Sequence, residues 1–60
     1  MDLERAKEIL KFPEHIEVTY RGRPVWIEMV DEHAEKAQVH EEVNKDNVMI
    51  VPVWDLEDKG

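Results

Sequence analysis

Cysteine and serine are both missing from this sixty-residue chain, and glycine occurs only twice. Without cysteine there is no disulfide to staple a small core and no thiolate to serve as nucleophile or metal ligand. The absence also fits a reducing compartment. Without serine, and with Thr19 as the single threonine, an activated hydroxyl beside a base cannot be assembled. Gly22 and Gly60 cannot supply the glycine spacing of a phosphate-cradling loop, so nucleotide enzymes are excluded. Long apolar runs are missing too. Nothing approaches the about 20 residues that span a bilayer, and the opening Met1-Asp2-Leu3-Glu4-Arg5 is unlike a signal peptide. The sequence therefore predicts a cytoplasmic protein with no membrane association.

Basic residues are also scarce: eight Lys and Arg stand against fifteen Asp and Glu, for a net charge of −7. This argues against the phosphate attraction that dominates nucleic-acid binding. The imbalance is uneven. Residues 1–30 carry five basic and six acidic side chains, and residues 31–60 carry three and nine. Only the first half could face a polyanion. A chain this short forms one domain, residues 1–60, and buries about 60% of the surface its unfolded form exposes. Its stability is accordingly marginal without a further source of burial.

Within these bounds the local patterns are clear. Asp2 suits an N-cap, and Leu3, Ala6, Ile9 and Leu10 share one helical face. Pro13 disfavours helical backbone at Phe12, so a helix is predicted over residues 3–11. From Ile16 the period becomes two, with strands predicted over 16–20 and 24–30 around Arg21-Gly22. Gly22 can take the positive φ of a two-residue hairpin loop, which pairs Tyr20 with Arg23, Val18 with Val25 and Ile16 with Ile27. Further strands are predicted over 36–40 and 48–53. The last is continuously apolar, which predicts burial on both faces, and Pro52 belongs at an edge, a bulge or a strand end. Beyond Trp54 and Leu56 a charged, frayed tail is expected.

The remaining chemistry is sparse. His15, His33 and His40 lack the spacing that would place two imidazoles on one helix face, so no metal and no cofactor are expected. Catalytic residues, and with them a small-molecule substrate, are not expected either. Arg21 and Arg23 flank the hairpin tip beside Tyr20. With Arg5, Lys7 and Lys11 they form the candidate contact set for an alternative reading as a weak nucleic-acid binder.

Several segments together are distinctive. Arg5-Ala6-Lys7-Glu8-Ile9, Pro13, Val18-Thr19-Tyr20, Gly22, Pro24-Val25-Trp26-Ile27, Val30, Ala37-Gln38-Val39, Val51-Pro52-Val53 and Leu56-Glu57 resemble the H-type small acid-soluble spore proteins of endospore-forming bacteria. The likeness covers nearly the whole chain. It departs at Phe12 and Arg21, where the family often has Ser and Asn. The resemblance implies a non-enzymatic protein of the forespore cytoplasm and spore core, and it is distinct from the DNA-coating α/β-type spore proteins.

The expected fold is α+β: a short N-terminal helix on a bent antiparallel sheet of four or five strands, either open or curled into a half-open small barrel. Its core is expected to draw on Leu3, Ala6, Leu10, Ile16, Val18, Tyr20, Val25, Ile27, Met29, Val39, Met49 and Val51. The apolar positions left over are Trp26 and Val30 on the outward face of the second strand, with Val48, Ile50 and Trp54. They predict a homodimer, unless the N-terminal helix covers Trp26.

Overall fold

A computed structural model describes residues 1–58. Helix α1 runs Leu3–Lys11, followed by strands β1 (Val18–Tyr20), β2 (Arg23–Asp31), β3 (Lys36–Glu41) and β4 (Val48–Pro52). A 3-10 turn, Val53–Asp55, then leads to β5 (Leu56–Asp58). The Asp2 side chain accepts from the Arg5 amide at 2.8 Å, and Phe12, extended ahead of Pro13, closes the helix through its amide to the Ile9 carbonyl.

The five strands form one antiparallel sheet in the order β4-β3-β2-β1-β5. The hairpin register is the predicted one where β1 exists: Tyr20 opposite Arg23 and Val18 opposite Val25. Both turn residues have positive φ, Arg21 at 52° and Gly22 at 82°, the signature of a type I′ turn. β1 begins at Val18 rather than Ile16, so Ile16 leaves the ladder and lines a cleft at the end of α1 instead of joining the core.

β5 pairs Leu56 with Tyr20 and Asp58 with Val18, where a frayed tail was expected. Burial of Leu56 supplies the reason, because its side chain is 1% exposed. The connection also dictates curvature. A flat five-strand sheet would hold its edge strands about 19 Å apart, whereas the residues between Pro52 and Leu56 can span at most about 14 Å when fully extended. Coiled as a 3-10 turn they span less. The sheet must therefore curl to bring β4 and β5 together, although these edges do not pair and no barrel closes. The Met1 amine sits at this junction, donating to the carbonyls of Val53 (3.3 Å) and Leu56 (2.5 Å).

The core fills the concave side of the curl. Ala6, Val18, Val25, Ala37, Val39, Val51, Val53 and Leu56 are buried, with Leu3, Ile9, Tyr20, Ile27, Val30 and Met49 packed around them. Ala6 is the helix residue nearest the sheet, and its small side chain lets α1 approach closely. Besides Ile16, two expected core residues lie elsewhere. Leu10 is 42% exposed because the inward stripe of α1 runs through Leu3, Ala6 and Ile9. Met29 is 56% exposed because a bulge interrupts β2: Ile27 opposes Val39 but Met29 opposes Gln38, leaving Glu28 as the extra residue. One inserted residue inverts the alternation, so Met29 turns out and Val30 turns in.

β4 is an edge strand with only its Met49 and Val51 side facing the core, not the two-faced buried strand its composition suggested. The hydrogen bonds from Glu41 N to Asn47 O and from Val53 N to Glu35 O set the phase of its pairing with β3. Alternation then turns residues 49 and 51 toward β3 and residues 48, 50 and 52 toward the open edge. Pro52 thus lies where its missing amide costs no ladder bond.

Candidate association surface

Cross-strand register assembles the convex face from β2, β3 and β4. One row is Trp26, His40 and Val48, and the next is Met29, Gln38 and Ile50. Four of these six side chains are apolar, and their exposures run from 40% at Trp26 and 48% at Val48 to 56% at Met29 and 68% at Ile50. A contiguous group of exposed apolar side chains is the feature that marks a contact surface, whereas single ones are ordinary.

The Trp26 indole is only half accounted for by the protein itself. Ile9 and Leu10 at the end of α1 line a cleft together with it, and His15 from the connection between α1 and β1 stacks on the ring, with centroids 3.9 Å apart and planes inclined by 12°. Beside this stack, His40 Nδ1 lies 2.9 Å from Glu28 Oε2, pairing the two ionisable groups at the centre of the face. Glu28 is the extra residue of the bulge between Ile27 and Met29.

The structure brings together Trp26, Val48 and Ile50 of the expected association residues, but not the other two. Val30 packs against the core on the opposite side of the sheet, a consequence of the bulge. Trp54 is 60% exposed on the 3-10 turn, beyond the end of β4. Met29 belongs to the surface and was missed. No local signal marks a bulge in a strand of otherwise regular alternation, and the pairing of His15 with Trp26 is equally invisible without the fold.

The basic candidates are dispersed and mostly engaged. Arg5 pairs with Asp58 and with Glu8, and hydrogen bonding to those carboxylates raises its pKa. Lys7 pairs with Glu32, and more loosely with Glu4 at 3.8 Å. The hydrogen bond to Glu32 raises the lysine and holds the Glu32 carboxyl below its ordinary value. Arg23 lies 3.3 Å from the largely buried Glu41, which also accepts from the Asn47 side chain. The Arg21 guanidinium stands 5.3 Å over the Tyr20 ring. Among the described residues only Lys11 and Arg21 of the five form no ion pair, and they sit on different elements. No continuous basic track results.

The clefts offer little chemistry. The one between the end of α1 and β2, about 330 Å³, is lined mainly by Ile9, Leu10, Phe12, Ile16, Trp26 and Ile27 with His15 and Glu14 at its margin. No group of three His, Cys, Asp or Glu among the described residues could hold a metal ion. No helix among them is long and apolar enough to cross a membrane.

Comparison with known proteins agrees with the resemblance in the sequence. A family model described as the small acid-soluble spore protein H family matches residues 1–58. Small, acid-soluble spore protein H 1 of Bacillus cereus is 46% identical over 59 residues, covering 98% of this chain and all of the relative. Small, acid-soluble spore protein H 2 of Bacillus cytotoxicus is 39% identical over the same coverage. The Bacillus licheniformis protein of the H type is 38% identical over 58 residues, covering 97% of this chain and 98% of the relative. No solved structure is significantly similar. With the match running through the helix, the type I′ hairpin and every strand of the sheet, the chain belongs to the small acid-soluble spore protein H family.

Proposed function

We propose that the protein is a non-catalytic component of the spore core, made in the forespore during sporulation and acting by its presence and its contacts rather than by turnover. The family match over residues 1–58 carries this reading. Composition supports it, since a chain without Ser or Cys has few ways to build a nucleophile. The alternative reading as a nucleic-acid binder draws little support from basic side chains already engaged by carboxylates.

The test is quantitative mass spectrometry on acid extracts of vegetative cells, sporulating cells and purified decoated spores of the source organism. The protein is expected to appear during sporulation and to persist in the decoated spore. Equal abundance in vegetative cells, or loss with the coat fraction, would overturn the proposal. A parallel titration with duplex DNA at low salt addresses the alternative. Binding that weakens steeply with salt would favour it.

A further inference from the structure

We infer that the convex face of the sheet is a self-association surface, on which a second copy of this chain packs face to face. The charge distribution selects a second copy as the occupant. Of fifteen carboxylates in a chain of net charge −7, the β2–β4 rows of this face hold only Glu28 and Asp31. Glu28 is paired with His40, and Asp31 lies opposite Lys36 while its carboxylate accepts from the amides of His33 and Ala34. On this face two strongly acidic molecules can meet with few carboxylates opposed, since these rows hold only two of the fifteen. A basic partner would be drawn to the acidic remainder of the surface instead.

The backbone decides between the two ways a sheet can dimerise. Edge-to-edge pairing needs a row of free donors, and β4 presents almost none. The Val48 amide is already bonded to the Asp46 carbonyl at 3.1 Å, and Pro52 has no amide, so residues 48, 50 and 52 leave only Ile50 to donate. At the other edge, the Leu56 carbonyl of β5 is taken by the Met1 amine. Both edges are blunted and the face is not.

Face-to-face packing of the two curled sheets would follow the aligned geometry of a sandwich, with layers about 10 Å apart. A twofold axis along β3 sets Gln38 against its own mate, where an amide can both donate and accept, and brings His40 and Lys36 against theirs, the lysine with Asp31 opposite it on β2. The same axis lays Trp26 and Met29 of one copy over Val48 and Ile50 of the other, matching the bulky side of the face to the smaller. A standard interface takes about 800 Å² from each partner, roughly a fifth of the 4200 Å² surface of this chain. Three strands supply less than that, which places the dimer among weak, concentration-dependent ones.

Sedimentation equilibrium from micromolar to millimolar protein tests the inference, with hydrogen exchange followed at the Ile50 amide. The mass is expected to rise from 7.1 kDa toward twice that value while the Ile50 amide continues to exchange quickly. Ile50→Lys and Met29→Lys should each weaken association by at least about tenfold. Both positions are more than half exposed, so circular dichroism should show the fold retained. Val43→Lys, at an 86% exposed position off this face, should leave the mass unchanged. A mass fixed at 7.1 kDa at millimolar protein overturns the proposal. So does a dimer that protects the Ile50 amide or survives both lysine variants, since either outcome puts the contact elsewhere. None of these results depends on the spore-core assignment.

Discussion

Thr19 is 6% exposed in the short interior strand β1, flanked by Pro24 on β2 and Glu57 on β5, and its hydroxyl has no hydrogen-bond partner among the described residues. An unpartnered buried hydroxyl costs about 1–3 kcal/mol relative to one in water. Thr19→Val replaces that oxygen with a methyl group of similar size and keeps the β-branched shape a strand favours. The variant should therefore be more stable by about 1 kcal/mol, the lower end of the range because apolar replacement rarely fits without adjustment. For a chain of sixty residues, whose total stability is on the order of 3–9 kcal/mol, the gain is substantial. It should raise the melting temperature by about 4–8 °C. Urea unfolding followed by circular dichroism would show a higher midpoint at unchanged slope. Thr19→Ser separates hydroxyl from volume: it keeps the oxygen, loses a methyl and should be less stable by about 1 kcal/mol. If Thr19→Val were instead destabilised by more than about 0.5 kcal/mol, which is beyond the usual scatter of a neutral change, the hydroxyl would have to be hydrogen-bonded and the reasoning would fail.

Other perturbations follow from the same structure. Val39 is fully buried in the middle of β3, and Val39→Ala should cost about 2–3 kcal/mol, read as a lower urea midpoint. Arg21→Asn places at φ 52° a residue that tolerates left-handed backbone, and should stabilise by about 0.5–1 kcal/mol in thermal unfolding. Arg21→Val should do the opposite. Because Lys7 holds the Glu32 carboxyl below its ordinary value of 4.5, the pair contributes fully above that pH and is lost as the pH falls through the lower folded value. Glu32→Gln should therefore narrow the gap in melting temperature between pH 6 and pH 3, by a small amount at so exposed a pair and less still in high salt. An unchanged gap would show that the pair is not formed in solution.

The helix and the hairpin were legible because their causes are local. Asp2 and Pro13 delimit α1 within a few residues of the bonds they make, and Arg21-Gly22 sets the register of β1 against β2 through a two-residue loop. The α+β class, the strand positions near 24–30, 36–40 and 48–53, and an edge or terminal place for Pro52 followed from alternation and from proline lacking an amide. Acidity and the lack of nucleophiles were likewise properties of composition alone.

What the sequence could not convey rests on contacts between distant residues. β5 exists because Leu56 finds a buried place beside Tyr20, thirty-six positions earlier, and nothing in Leu56-Glu57-Asp58 announces a strand. The bulge at Glu28 is a mismatch between two strands, so it has no signature in either one. Yet it reverses the facing of Met29 and Val30 and thereby decides which side chains form the outer surface. The apolar run of β4 reads as doubly buried because hydrophobicity records what a strand could bury, whereas its place at the edge of the sheet determines what it does bury. Local propensity determined the helix, the hairpin and strands β3 and β4 of this protein. Pairing across the sheet, which depends on residues far apart in the chain, determined which of their faces remain open to a partner.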